Sequence, residues 1–338
     1  MKNNIYIIAE VGINHNGDVE TAKQMIKVAS ECGVDCVKFQ TFKADEFVSD
    51  PNQTYTYKSQ GKEVTESMLA MFKRYEFKDS DWNEIIDCCD QHDITFCSTA
   101  QNIKDLDYLL SITELPFIKV GSDDLTNLKL MNYYASKQKP MIISTGMAYA
   151  SEIEDAINEI KKTGNDDITV LHCVSSYPAE AKEVNLEKIP AIRKAFGVDV
   201  GFSDHTIGSA AAVGAVCFGA TVIEKHFTLD HNMPGPDHWF SMEPQDLKKY
   251  TEDIRFIEKA IGSSVLEPTD KEKNMRSIMQ RKIVVGRDMN AGEIIMESDI
   301  DFKRAPSGIE PKHQDFILGR QLKRAIKKGD PVKLEDFI

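Results

Sequence analysis

The chain has 338 residues, 41% of them hydrophobic and 28% charged, with a net charge of −13 at pH 7. That balance fits a folded globular protein and argues against a nucleic acid or an anionic membrane as partner, so any anionic substrate must be met by local lysines. No apolar run approaches the roughly 20 residues of a membrane span, and Ile5-Tyr6-Ile7-Ile8 reads as a strand rather than as part of a signal peptide. Seven cysteines, including adjacent Cys88-Cys89 and no CxxC pair, suit free thiols. The expected location is therefore the reducing cytoplasm.

Taken in order, short apolar runs recur and nearly all end in a polar or charged residue. They are Ile5–Glu10, Cys36–Gln40, Ile94–Thr99, Phe117–Ser122, Met141–Gly146, Ile168–Cys173, Val198–His205 and Thr221–Phe227. Helical patterns lie between them, for example Val19–Cys32, Trp82–His92, Ser151–Thr163, Leu186–Phe196 and Ile207–Ala220. Near-continuous apolar strands imply a parallel sheet covered on both faces. Eight such units over about 240 residues predict an α/β fold, a (β/α)8 TIM barrel. The competing doubly wound sheet usually carries a glycine-rich phosphate turn after its first strand, and Gly12-Ile13-Asn14-His15-Asn16-Gly17 does not match it.

One connection is abnormally long. Residues Phe42–Ser80 are polar and turn-rich, with one predicted helix at Thr65–Tyr75, as expected of a functional lid or a surface excursion. After Gly262 the rhythm stops. The predicted organisation is a barrel over 1–262, a linker with a helix over 263–281 and a small β-rich module over 282–338. That module contains an internal echo in which Arg287, Gly292, Glu293 and Asp299 correspond to Arg324, Gly329, Asp330 and Asp336.

Barrel enzymes carry their chemistry at the carboxyl ends of the strands. Those ends bring Glu10, Lys38, Gln40, Thr99, Lys119, Ser122, Ser144, Ser175, Tyr177, Ser203, His205, Glu224 and His226 to one rim. His205 and His226 end successive predicted parallel strands, which lie roughly 5 Å apart. Two imidazoles with free positions beside them suit an open metal site. Lys38 and Lys119 each sit inside an apolar strand, where a lysine needs a partner. With the nearby serines they predict an anion pocket for phosphate or carboxylate. His172, in Leu171-His172-Cys173, reads as a hydrogen-bonded core histidine. An anion pocket beside a metal pocket fits metal-assisted hydrolysis or metal-assisted carbon–carbon bond formation. The first strand lacks the HxH pair common in barrel hydrolases, which favours the second.

The motifs Ile8-Ala9-Glu10-Val11-Gly12-Ile13-Asn14-His15-Asn16-Gly17, Lys38-Phe39-Gln40, Lys119-Val120-Gly121-Ser122 and Ser144-Thr145-Gly146-Met147 resemble the sialic acid synthase family. Ser203-Asp204-His205-Thr206, Glu224-Lys225-His226-Phe227-Thr228 and Pro234-Gly235-Pro236-Asp237-His238 do so too. Arg304-Ala305-Pro306-Ser307-Gly308-Ile309 in the tail resembles its antifreeze-like SAF domain. The resemblance implies a transferase that condenses phosphoenolpyruvate with an N-acylated hexosamine-type aldose, releasing phosphate and a nonulosonic acid. It implies Mn²⁺ at His205 and His226, with Mg²⁺ or Co²⁺ as alternatives, and a domain-swapped homodimer.

By the same resemblance Lys38, Lys119, Ser122, Ser144, Ser175 and Ser203 hold phosphoenolpyruvate. Gln40, Thr99, Asp124, Tyr177 and Asp237 face the sugar, with Arg304 reaching in from the partner. Glu10 or Glu224 orients the attacking water. The chain departs from the family at Gly121-Ser122-Asp123-Asp124, where Gly-Ser-Gly-Glu is common, and at Ser175-Ser176-Tyr177, where a bacterial sialic acid enzyme carries Asn before its Tyr. Those departures keep both N-acetylmannosamine and a di-N-acetylated deoxy sugar in play. The other readings are an aldol synthase for a shorter 3-deoxy-ulosonic acid and a non-catalytic sugar-binding homologue.

Overall fold

A computed structural model describes residues 4–338, which divide into two compact units, one ending at Gly262 and one running from Ser263 to Ile338. In chain order the strands are β1 (Tyr6–Gly12), β2 (Cys36–Thr41), β3 (Thr54–Ser59), β4 (Lys62–Ser67), β5 (Thr95–Ala100) and β6 (Ile118–Val120). They continue with β7 (Met141–Ser144), β8 (Ile168–Cys173), β9 (Asp199–Asp204), β10 (Val222–His226), β11 (Arg281–Val285) and β12 (Ile300–Arg304).

Eight parallel strands form one sheet in the order β5-β2-β1-β10-β9-β8-β7-β6. β1 joins β10 by a parallel ladder, with Tyr6 opposite Val222 and Glu10 opposite His226. The edge strands β5 and β6 lie side by side and complete the ring. This is the expected TIM-type barrel. Helices follow the strands as the apolar periodicity requires, for instance Val19–Glu31, Asp79–Gln91, Ala150–Lys161 and Pro244–Ile261. That last helix buries Leu247, Tyr250 and Ile254. Among the described residues no helix is long and apolar enough to cross a membrane.

The two-residue period of a strand explains how one barrel holds both a dry plug and a charged site. Ile8, Cys36, Cys97, Phe117, Ile142, Leu171 and Val222 pack together as a separate buried cluster. Two residues further along the same strands come Glu10, Lys38, Thr99, Lys119, Ser144, Cys173 and Glu224. The alternate residues Ile7, Ala9, Val37, Phe39, Ile118, Ile143, Val170 and Phe202 belong to the larger core shared with the helices. On β9 the plug position is Gly201, where a Cβ would come within 2.4 Å of both the Leu171 side chain and the Val222 carbonyl oxygen. Only glycine fits that approach.

The long connection differs from expectation. It contains a short helix, Ala44–Phe47, then the antiparallel hairpin β3–β4, with the later helix confined to Met68–Tyr75. Thr65–Ser67, placed in the helix by sequence, pairs instead with Thr54–Thr56. Ser67 caps the helix by accepting from Ala70 N at 3.3 Å. The hairpin escapes the apolar pattern because it is mostly exposed, with Ser59 its one buried residue.

The second unit has its own core of Ile283, Val285, Met289, Ile295, Ile309, Ile317, Leu322, Ile326, Val332 and Phe337. β11 and β12 form its antiparallel pair, with Arg304 opposite Arg281. The internal echo is structural. Arg287 Nε donates to Asp299 Oδ1 at 2.7 Å, and Arg324 Nε donates to Asp336 Oδ1 at 2.6 Å. Met289 and Ile326 exchange backbone hydrogen bonds of 2.9 Å in both directions, across the two halves. The helix Asp270–Met279, in the stretch expected to be a linker, buries no residue.

Candidate active site

The carboxyl ends of the barrel strands open into a cavity of about 650 Å³. Its lining includes Glu10, Lys38, Gln40, Thr99, Lys119 and Ser122, then Ser144, Ser175, Tyr177, Ser203, His205, Glu224, His226 and Asp237. These are the rim residues expected from sequence, with one exception among those on the barrel. The wall carries Asp123 rather than Asp124, whose carboxylate instead accepts from Asn127 Nδ2 at 3.5 Å. Arg304 lies on β12 in the second unit. His172 is buried, with Nε2 2.6 Å from the Val184 carbonyl oxygen, as a core histidine should be.

The floor is a buried set of two lysines and two carboxylates. Lys38 Nζ is 2.5 Å from Glu10 Oε2 and 3.5 Å from Glu224 Oε2, and Lys119 Nζ is 3.6 Å from Glu224 Oε2. Lys119 also donates to Ser144 Oγ at 2.9 Å and Lys38 to Thr99 Oγ1 at 3.1 Å. Glu224 accepts from Ser203 Oγ at 2.8 Å, and Glu10 from Gln40 Nε2 at 3.2 Å. Two positive and two negative charges make burial tolerable, because each ion has an opposite neighbour.

The two acids nevertheless differ. Burial pushes Glu10 up, with Lys38 only partly opposing it. Burial works the same way on Glu224, but Lys119 and Lys38 outweigh it and hold the group down at about 2. Lys38 is raised: burial opposes its charge and the two glutamates override that.

Beside the floor, Ser122 Oγ accepts from Gly146 N at 2.9 Å. A Cβ on Gly146 would meet Ser175 Oγ at 2.2 Å and Ser122 Oγ at 2.9 Å. The glycine therefore lets the Ser122 and Ser175 hydroxyls come together where a side chain would stand, a cradle suited to an anion next to Lys119.

His205 and His226 come from the ends of neighbouring strands, with ring centroids 5.5 Å apart. His205 Nδ1 lies 2.7 Å from the Val174 carbonyl oxygen, which leaves Nε2 directed elsewhere. His226 Nδ1 is buried without a hydrogen-bond partner. Burial lowers both rings, and in His226 the His205 ring adds to it, so both are neutral and have a nitrogen lone pair to offer. The Tyr177 ring lies against that of His205, tilted by 35° with centroids 4.1 Å apart.

Several lining residues were not anticipated: Phe47, Tyr55, Lys58, Phe72, Asp123 and Trp239. The alternation Tyr55-Thr56-Tyr57 was the one sequence signal for the hairpin that supplies two of them.

A model of the NeuB family matches residues 25–266, and one of the SAF domain matches residues 280–338. The chain belongs to the NeuB family. It is 39% identical to the N,N'-diacetyllegionaminic acid synthase of Campylobacter jejuni, over 97% of this chain and 98% of that one. It is 31% identical to the pseudaminic acid synthase of Helicobacter pylori, over 98% and 97%. Among solved structures, the N-acetylneuraminic acid synthetase of Leptospira borgpetersenii superposes with a TM-score of 0.72 at 31% identity, covering 82% of this chain and 93% of that one. These three relatives are legionaminic, pseudaminic and N-acetylneuraminic acid synthases, so the NeuB barrel of this chain is that of a synthase-type enzyme.

Proposed function

We propose that this NeuB family member condenses phosphoenolpyruvate with the open-chain aldehyde of an N-acylated hexosamine-type aldose, giving a nonulosonic acid and phosphate. The observation that carries this reading is the floor itself: Lys38 and Lys119 flank Glu224 beside a Ser122–Ser175–Gly146 cradle, with two neutral imidazoles on the same cavity. In this reading Lys38, Lys119, Ser122, Ser144, Ser175 and Ser203 take the phosphate and carboxylate of phosphoenolpyruvate. Gln40, Thr99, Tyr177, Asp237 and an acid of the Asp123-Asp124 pair take the sugar.

C3 of the enol forms the new bond to the aldehyde carbon, using the C2–C3 π electrons, and the aldehyde oxygen takes a proton to become a hydroxyl. C2 is left electron-poor. Glu224, pinned by Ser203 and two lysines, supplies fixed negative charge near it. Water then adds at C2 and gives up a proton. Phosphate departs with the electron pair of its C2–O bond as the new C2 hydroxyl gives up its proton and becomes the ketone oxygen. Of the two acids, Glu10 suits the water better, because only Lys38 and Gln40 hold it. Lys38 and Lys119 stabilise the departing phosphate.

His205 and His226 fit a divalent ion, Mn²⁺ foremost and Mg²⁺ or Co²⁺ as alternatives. Both rings are neutral, and His226 carries an unpartnered buried nitrogen. Among the described residues no group of three or more His, Cys, Asp and Glu side chains is gathered for a metal, so the pair leaves such an ion's other positions open. When bound there, the ion supplies Lewis-acid polarisation of a carbonyl.

A homodimer belongs to the same proposal, with the SAF unit of one copy capping the barrel of the other and Arg304 reaching its sugar. Exposed apolar side chains at the strand-end rim, Met147, Tyr149 and Ile207, support a covered mouth.

The test is phosphate release from phosphoenolpyruvate with a panel of N-acylhexosamines, after chelation and after Mn²⁺ is added back. Turnover is expected to need both the aldose and the metal. Absence of turnover with every N-acylhexosamine overturns the reading.

A further inference from the structure

One wall of the cavity is an arch made from two segments distant in sequence, the β3–β4 hairpin and the loop from Asn232 to Phe240. An isolated two-stranded hairpin is marginal in water, so its fastenings matter. At the tip, Gly235 N donates to Ser59 Oγ at 3.1 Å and Gln60 Nε2 donates to the Asn232 carbonyl oxygen at 2.8 Å. At the base, Tyr57 OH donates to Glu66 Oε1 at 2.5 Å, and Arg74 grips both Glu66 oxygens at 2.6 Å. Between tip and base, the Lys58 ammonium lies 4.7 Å from the centroid of the Trp239 ring. The loop is braced from behind, with His238 Nδ1 2.7 Å from Thr228 Oγ1 and Ser241 Oγ donating to the Asp237 carbonyl oxygen at 2.6 Å.

The arch offers the cavity aromatic surface. Tyr55 is 41% exposed and stacks on Tyr57 at 5.8 Å. Trp239 lines the same wall, and Phe47, packed on Phe72 at 4.9 Å, extends it. Such faces favour the C–H surface and methyl groups of a sugar over additional hydroxyls. Cationic provision is thin. Of the lysines lining the cavity, Lys38 and Lys119 face Glu224, and Lys58 sits on Trp239.

We propose that this arch selects the acceptor: Tyr55 and Trp239 are specificity-determining residues that favour a hexose bearing a second N-acyl group and a methyl in place of the 6-hydroxyl over a mono-N-acylated hexosamine. The inference rests on the synthase function proposed above. It deepens that function by assigning the choice of sugar to a hairpin outside the barrel strands. Methyl-sized differences in an apolar pocket are worth roughly tenfold to two-hundredfold in discrimination, so two such groups against two aromatic faces give the wall ample leverage.

The experiment measures kcat/KM of the full-length enzyme for three acceptors: a di-N-acylated 6-deoxyhexosamine, N-acetylmannosamine and its 6-phosphate. It compares the unaltered protein with Tyr55→Ala, Tyr55→Phe and Trp239→Leu, and reads the KM for phosphoenolpyruvate in each. The unaltered enzyme should prefer the di-N-acylated sugar. Tyr55→Ala and Trp239→Leu should each lower kcat/KM for it about tenfold or more, mainly through KM, while N-acetylmannosamine falls less than threefold. Tyr55→Phe should keep the preference, and the KM for phosphoenolpyruvate should hold. Equal losses for all acceptors, or none, overturn the selecting wall while leaving the synthase reading intact. A preference for the 6-phosphate that Lys58→Ala abolishes also overturns it, assigning Lys58 to a phosphate instead. No turnover by the unaltered enzyme with any acceptor overturns the synthase reading and the wall with it.

Discussion

Lys38 and Glu10 form a buried ion pair of 2.5 Å across β1 and β2, and the same ammonium lies 3.5 Å from Glu224 on β10. One lysine thus bridges two buried carboxylates, with Lys119 sharing Glu224. Lys38→Met is expected to abolish measurable synthase activity. It should also lower stability by about 3–5 kcal/mol at neutral pH, because buried Glu10 loses its ion-pair partner and Glu224 is left with Lys119 alone. Glu10→Gln added to it should recover part of that loss. Chemical denaturation of the three proteins checks this, and equal stability of Lys38→Met and the unaltered chain would refute it.

His205→Ala and His226→Ala remove one imidazole each from the proposed metal pair. Either change should weaken Mn²⁺ binding by more than tenfold, read by calorimetry or by the loss of free-Mn²⁺ signal in electron paramagnetic resonance. The circular dichroism spectrum should be unchanged. Undiminished Mn²⁺ affinity in both variants would move the metal elsewhere.

Arg304→Ala tests the proposed capping of one barrel by the partner's SAF unit. The KM for the acceptor sugar should rise at least fivefold, with Mn²⁺ affinity and the KM for phosphoenolpyruvate unaltered. Unchanged sugar kinetics would mean that this arginine does not reach the site.

Asp105, buried in the first turn of the helix Ile103–Ile112, is pushed up to about 7 by burial, with Glu46 reinforcing it and Lys43 opposing. Its ordinary value is near 3.8. The folded state therefore binds this proton more tightly than the unfolded chain does. Between about pH 4 and pH 7 this residue makes stability fall as pH rises, and above 7 the full cost is present. Asp105→Asn should flatten that slope and stabilise the protein at pH 8 by on the order of 1–3 kcal/mol. Urea midpoints at pH 5 and pH 8 measure it; an identical pH dependence in both proteins would refute it.

Much of this was legible in the residues. A parallel barrel strand must be apolar on both faces until it reaches the rim, so the places where Ile-Ala gives way to Glu10, or Val-Ile to Glu224-Lys225-His226, mark strand ends without any structure. The pairwise echo of Arg287 and Asp299 with Arg324 and Asp336 was equally plain, since each ion pair joins residues 12 apart within its own half. What escaped was the hairpin. Thr54-Tyr55-Thr56-Tyr57-Lys58-Ser59 has no buried face to impose an apolar period, and its partners Gly235 and Asn232 lie far along the chain. Which of Asp123 and Asp124 lines the cavity was also out of reach, because it depends on how one turn is wound.

The sequence by itself determined the barrel, the SAF module and the residue types at the mouth, because strand period and motif order are local properties of the chain. Only the tertiary structure decided which of those residues touch. That Lys38 bridges Glu10 and Glu224, and that Gly146 lets Ser122 and Ser175 converge, follows from the register of strands brought together by ring closure. That Lys58 rests on Trp239 follows from a hairpin folded over the mouth. The physical reason is range: hydrophobic period acts between near neighbours in the chain, whereas ion pairs and cavity walls form between residues that closure alone makes neighbours.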